Sequence, residues 1–333
     1  MTLPRIGVFD SGVGGLTVLR ALAERLPARY FYFGDTARLP YGTKSAETVA
    51  RYAIGATRFL ESQNIDLLVI ACNTASALAL PQIKEAATVP VVGVVEPGAA
   101  MAAQVSQTRR AVVIATEATV TSHAYRDALR QHGIEAFEKA CPLFVPLIEE
   151  GWTEHPVTEQ VARIYLDEAL AIGNGADVLV LACTHYPLIA PLLRRTTPEK
   201  MTIVDSAEST ASMVKKMVES TNSAVSPNEG KKTMARQHHD GAPAGEVAAM
   251  ERLETWGEPG QFEMSTIGVP TPPFSFVGAA PLSASVEDRA GAKPSDHRSF
   301  QFFVTDSVDK FKKLATRFLG RQVDRVEHVD LGG

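Results

Sequence analysis

Two stretches of this 333-residue chain share one build. Leu67-Leu68-Val69-Ile70-Ala71-Cys72-Asn73-Thr74-Ala75-Ser76 is an apolar run that ends in a cysteine and then small polar residues. Val178-Leu179-Val180-Leu181-Ala182-Cys183-Thr184-His185-Tyr186-Pro187 repeats the plan. A short apolar run bounded by turn-forming residues reads as a fully buried strand. Both runs carry Ala-Cys to the strand's carboxyl end, ahead of side chains that can cap a helix or hold a polar ligand. Two thiols so placed predict one pocket with a thiol on either side.

The rest of the chain alternates strand and helix around these two units. Residues 5–9 read as a strand, Asp10-Ser11-Gly12-Val13-Gly14-Gly15 as a glycine turn, 16–26 as a helix and 30–33 as a strand closed by Gly34-Asp35. The first lobe continues with a Pro40-Tyr41-Gly42 loop, a helix at 45–63, the first cysteine strand at 66–72, a helix at 75–87 and a strand at 89–95. Glu96-Pro97-Gly98 reads as a switch between lobes. Beyond it come a helix at 99–105, a strand at 111–115, a hydroxyl-rich turn from Thr116 to Ser122 and a helix at 123–132. Residues 141–147 read as extended, interrupted by Pro142 and Pro146, with Glu149-Glu150-Gly151 closing the segment. A helix at 157–172, the second cysteine strand at 177–183, a helix at 188–195, a strand at 202–204 and a helix at 209–219 follow.

This alternation predicts an α/β fold of two doubly wound parallel-sheet lobes facing each other across a central cleft. The expected first lobe is 1–97 plus 207–221 and 298–333; the second is 98–206. Residues 222–297 are rich in Pro and Gly and show no sustained period, which favours a long, partly disordered insertion of unknown role. A strand at 300–304 and a helix at 307–319 return to the fold.

Composition narrows the function. Net charge is −5 and the isoelectric point is near 5.9, so nothing advertises a nucleic-acid partner. The first residues lack the apolar core of a signal peptide, and no apolar run approaches the roughly 18 residues of a membrane span. Three widely spaced cysteines form no disulfide framework and suit a reducing cytoplasm.

Several motifs admit rival readings. The glycine turn after the first strand invites a dinucleotide site, with Asp35 ending the next strand. Its last fingerprint position is Thr17 rather than Gly or Ala, and no Gly-Lys-Ser/Thr follows to make a P-loop. What remains is a polar turn whose N–H groups can face a carboxylate or phosphate, or a simple cap at Asp10. Either cysteine alone could be a small core residue. Their duplication favours chemistry: a thiol at a helix N-terminus is expected to have a lowered pKa, which suits acid–base work. Cys141 lacks this context and reads as structural. Cys72, Cys183 and His185 could bind a metal on paper, but no ligand spacing supports it, and no metal is expected. His185, Glu149, Glu150, Thr116, Thr119 and Thr121 each have plain readings as cap, turn or solvated residues.

Taken together, Phe9-Asp10-Ser11-Gly12-Val13-Gly14-Gly15, Gly34-Asp35-Thr36-Ala37-Arg38-Leu39-Pro40-Tyr41-Gly42, Ala71-Cys72-Asn73-Thr74-Ala75-Ser76 and Leu181-Ala182-Cys183-Thr184-His185-Tyr186-Pro187 resemble the glutamate racemase family. The likeness is dense from about residue 5 to 219, and the tail from Phe300 resembles the end of some members; residues 222–297 fall outside it. The resemblance implies a cofactor-independent isomerase acting on glutamate for peptidoglycan. It implies Cys72 and Cys183 as the two bases, the first serving the D-isomer and the second the L-isomer. Asp10, His185 and Glu149 match assisting residues, with Glu150 as the competing alignment. Asp10, Ser11, Pro40, Tyr41, Gly42, Asn73, Thr74, Thr116, Thr119, Thr121, Thr184 and His185 match substrate contacts. No pyridoxal or flavin signature is present, and oligomeric state, including a homodimer, stays open. The rivals are a racemase of aspartate or another amino acid, a ligand-binding protein on the same fold, and a nucleotide-binding oxidoreductase, which Thr17 disfavours.

Overall fold

Every strand pairing in the computed structural model, which describes residues 3–224 and 298–332, is parallel. The first part of the chain runs β1 (Arg5–Asp10), α1 (Leu16–Arg25), β2 (Arg29–Gly34), α2 (Ala46–Ser62), β3 (Leu67–Ile70), α3 (Asn73–Ala86) and β4 (Val91–Gly93). The second part runs α4 (Val95–Val105), β5 (Arg110–Ala115), α5 (Glu117–Ser122), α6 (Ala124–Gln131), β6 (Glu135–Ala140), α7 (Phe144–Glu149), α8 (Pro156–Ile172), β7 (Val178–Ala182), α9 (Ala190–Thr196) and β8 (Thr202–Asp205). It closes with α10 (Ser206–Ala224), β9 (Ser299–Val304), α11 (Val308–Leu319) and β10 (Glu327–His328).

Two sheets result, in the orders β10-β9-β2-β1-β3-β4 and β6-β5-β7-β8. The expected α/β fold of two parallel-sheet lobes is therefore present. The insertion expected at 222–297 lies, from residue 225 onward, outside the described residues. Among the described residues, no helix is long and apolar enough to cross a membrane.

Side chains alternate along each strand, so both faces of each sheet are packed. Phe9, Phe31, Phe33, Leu68 and Ile70 pack with α2 and α3 on one face of the first sheet. Ile6, Val8, Tyr30, Tyr32 and Val69 point the other way, toward α1, α10 and α11. In the second sheet Ala111, Val113, Val178 and Val180 pack with α4 and α6. Val112, Ile114, Leu179 and Leu181 join the same apolar interior as α1 and α10. One core thus runs from the first sheet to the second.

Four local expectations need correction. Glu96-Pro97-Gly98, expected as a loop switch, is the first turn of α4; Pro97 falls where its missing N–H has no intrahelical partner to lose. Thr116 to Ser122 is not a turn but leads into α5. Residues 144–149 are helical rather than extended, again with a proline, Pro146, in the first turn. The strand β6 was not expected at all: only Phe137 in Glu135–Ala140 is large and apolar, as suits a strand at a sheet edge.

Candidate active site

β3 is buried along its whole length and ends at Ile70, so the chain leaves the sheet with Ala71 and then Cys72, which caps α3. The Cys72 sulfur accepts a hydrogen bond from the Ala75 N–H at 3.4 Å, and its thiol donates to Ser11 Oγ at 3.5 Å. β7 repeats the arrangement in the second sheet. It ends at Ala182, and Cys183-Thr184-His185 lead into a single 3-10 turn, Tyr186–Ile189. Both thiols are nearly buried, at 5% and 6% exposure. Both line one cavity of about 450 Å3. Ser11, Pro40, Tyr41, Gly42, Asn73 and Thr74 line it from the first lobe; Thr116, Glu149, Thr184 and His185 line it from the second.

The surroundings of Cys183 are basic. His185 Nδ1 lies 4.0 Å from the Cys183 sulfur, and His185 Nε2 lies 3.0 Å from Glu149 Oε1. Burial opposes a charge on His185, but the bonds to Cys183 and Glu149 and the negative charge they bring outweigh it, raising the imidazole to about 10. Burial likewise acts to raise Glu149, yet the bond and charge of His185, with the charge of Lys310, hold its carboxyl below the ordinary range. Glu149 lines the cavity, whereas Glu150 is exposed.

The surroundings of Cys72 are acidic. Asp10 ends β1 and is almost fully buried; its Oδ2 accepts from the Gly12 N–H at 2.9 Å, while its Oδ1 has no partner among the described residues. Burial raises the Asp10 carboxyl, against the pull of His185 and of the Gly15 and Gly12 N–H groups. Burial, followed by the charge of Asp10, pushes the Cys72 thiol up to about 12. This corrects the expectation of a lowered thiol. Ser11 and the Ala75 N–H act in the expected direction, but desolvation is the larger effect.

Threonines and an asparagine tie the two sides together. Thr74 Oγ1 lies 3.1 Å from Thr116 Oγ1 and 3.3 Å from Thr119 Oγ1, and the latter two are 3.0 Å apart. Thr119 is fully buried behind Thr116 and does not line the cavity. Thr121, two residues further along α5, is exposed and is not brought to the cavity, because two residues turn a helix about 200°. Asn73 is fixed by Tyr125, whose hydroxyl donates to Oδ1 at 2.6 Å, and by its own amide donating to Ser206 Oγ at 3.2 Å. Tyr41 donates to Asp35 Oδ2 at 2.5 Å.

Thr17 also finds its reason here. Its hydroxyl lies 2.9 Å from both the Gly14 and Thr184 carbonyl oxygens, so the residue that spoils the dinucleotide fingerprint joins α1 to the second cysteine segment. Gly14 passes so close that a Cβ there would sit 2.2 Å from Thr184 Oγ1. Sequence reasoning missed Lys310 and Glu117, which line the cavity, and Tyr125 and Ser206, which hold Asn73. Lys310 follows the long insertion, and no local pattern links it to the site. Among the described residues, no group of three or more His, Cys, Asp or Glu is placed to hold a metal ion.

A family profile described as Asp/Glu/Hydantoin racemase matches residues 6–214. A glutamate racemase of Koribacter versatilis is 51% identical over 335 residues, covering 99% of this chain and 98% of that relative. The crystal structure of glutamate racemase from Thermus thermophilus in complex with beta-chloro-D-alanine is 35% identical, with a TM-score of 0.70 over 98% of this chain and 97% of that one. The structure from Francisella tularensis in complex with D-glutamate is 28% identical, with a TM-score of 0.72 over 99% of both chains. The chain belongs to the Asp/Glu/Hydantoin racemase family. It is an isomerase.

Proposed function

We propose that this protein interconverts L- and D-glutamate without a cofactor, by a two-base mechanism in which Cys72 and Cys183 act on opposite faces of the α-carbon. The observation that carries this is the opening of both thiols, one from each sheet, into a single cavity. A racemase must both remove and return a proton at one carbon, so two groups on opposite sides are required. In the D-to-L direction the Cys72 thiolate takes the α-proton, and the Cys183 thiol gives its proton to the other face. Cys72 ends as thiol and Cys183 as thiolate, and exchange with water resets the pair. In the L-to-D direction the roles reverse.

The neighbouring groups have roles consistent with that cycle. Asp10 and Ser11 assist Cys72, and the His185–Glu149 pair assists Cys183. The carbanion that forms is stabilised by fixed dipoles rather than by a pyridoxal ring: the start of α3, at Asn73 and Thr74, and Thr116 and Thr184 line the cavity and supply them. Asn73, Tyr41, Gly42 and Pro40 complete the substrate's surroundings. The product would feed peptidoglycan synthesis in the cytoplasm.

The test is incubation of the purified full chain, with no added cofactor and with a chelator, in deuterated water with single enantiomers of several amino acids. Deuterium should enter the α-position of glutamate as optical rotation decays. Absence of both for glutamate would sink the proposal; faster turnover of aspartate would reassign the substrate within the family.

A further inference from the structure

The last helix, α11, lies far along the chain from the second cysteine, yet three of its side chains converge on the Glu149–His185 pair. The buried Phe318 ring meets His185 edge to face, with centroids 5.1 Å apart. Lys310 lines the cavity with Glu149 and adds positive charge beside it. Arg317 Nη1 donates to the main-chain carbonyls of Ile148 at 3.1 Å and Glu149 at 2.8 Å. Those carbonyls end α7, where that of Ile148 also accepts from the Gly151 N–H at 3.0 Å and where a cation meets the negative end of the helix dipole. Gly151 follows with φ of +87°, and a Cβ there would sit 2.6 Å from Arg317 Nη2. The glycine both closes the helix and leaves room for the guanidinium.

α7 needs such a clamp. It has six residues, too few to hold a helix by itself. Its buried face is anchored by Phe144, which packs on Tyr165 and Tyr186, and by Ile148. Glu149 is the next residue, about 100° around the helix, so that anchored face does not fix its direction. What holds the main chain at Glu149 decides where the carboxylate points.

We propose that Arg317 is a positioning residue for the reaction: by fixing the last turn of α7 it aims the Glu149 carboxylate at His185, behind Cys183. This rests on the reading of Cys183 as a reacting thiol. The groups that set the charge of His185 are Cys183, Glu149 and Asp10, with Lys310 beside Glu149. Loosening Glu149 removes one of the two bonds that keep the ring protonated.

The experiment is imidazole NMR of the full chain labelled at histidine, with the His185 signal identified by its loss in His185→Gln, alongside kinetics with each enantiomer. In Arg317→Gln the His185 titration should fall from about 10 toward 6.5. Its kcat/KM should drop about tenfold, equally for the two enantiomers because racemisation has an equilibrium constant of one, while the α-deuterium isotope effect rises more for L-glutamate than for D-glutamate; Arg317→Lys should restore most of the activity. An unchanged His185 titration and pH profile in a folded Arg317→Gln protein would overturn the proposal, even if thermal stability fell. Should Arg317→Gln fail to fold, Arg317→Met, which keeps the apolar stem and loses the donor, decides: a downward shift of His185 supports positioning, and a titration identical to the parent protein overturns it. The NMR arm needs no substrate, so a protein that does not turn over glutamate would refute the proposed function without deciding this point.

Discussion

The two cysteine sites occupy equivalent places in two similar sheets, yet their chemical settings are opposites. Burial, and after it the buried Asp10 carboxylate beside Cys72, leave its thiol far above the usual range against the pull of the Ser11 hydroxyl. Cys183 sits beside an imidazole that its neighbours keep positively charged through neutrality. The cavity thus holds a cation beside one sulfur and a carboxylate beside the other. Repetition of a strand-and-helix unit fixes where a sulfur goes, while residues from other elements fix which charges stand beside it. Asp10 comes from the end of β1 and Glu149 from the end of α7.

The largest expected effect treats the sites alike. Cys72→Ser and Cys183→Ser should each lower racemisation by about 10^3-fold, within the range for loss of an acid or base; full activity in either variant would break the two-base scheme. Next come changes that separate the sites. His185→Gln should lower kcat/KM by about 10^2-fold, alike for both enantiomers because the equilibrium constant is one, but should raise the α-deuterium isotope effect more for L-glutamate than for D-glutamate; equal isotope effects would erase the asymmetry. The pH profile tests the Cys72 side. Because the Cys72 thiol stands near 12, kcat/KM should climb, equally for the two enantiomers, as pH rises above about 7, by at most about tenfold per unit. Asp10→Asn removes the charge that helps raise the thiol, so the climb should move to lower pH.

Stability should follow the same asymmetry with a smaller amplitude. His185 is raised from 6.5 to about 10 on folding, so its protonated form contributes stability that is complete below 6.5 and is lost as pH rises through 10. The urea midpoint should therefore decline across that window, and His185→Gln should flatten the decline. The smallest change is expected at Thr17. Thr17→Val removes the hydroxyl that bridges Gly14 and Thr184, and should cost about 1 kcal/mol in urea unfolding while turnover falls less than tenfold.

The buried parallel strands were legible because continuous apolar runs ending in small or polar residues leave few alternatives, as at Leu67–Ile70 and Val178–Ala182. Helices with a full apolar face, such as α2 and α11, were legible for the same reason. Prolines misled where they entered first turns: Pro97 and Pro146 read as breaks but sit where a helix tolerates them. β6 escaped because an edge strand needs little apolar surface on its own. Within the site, short motifs pointed to both cysteines, Ser11, Tyr41, Asn73 and His185. The direction of the Cys72 thiol did not follow from them, because a helix N-terminus is visible in sequence and depth of burial is not. The choice between Glu149 and Glu150, and the approach of Lys310 and Arg317, depend on how α11 docks after the chain has passed through residues 225–297.

The interior shared by the two sheets carries a consequence for how such a molecule can be cut or moved. Ile6 and Val8 on one side and Ile114 and Leu181 on the other belong to a single hydrocarbon mass bridged by α1 and α10. Severing the polypeptide between β4 and β5 would leave each fragment with a bare oily flank, and neither should fold alone. Any breathing of the cleft must then pivot about this fixed keel, with the mouth flexing while the floor stays shut.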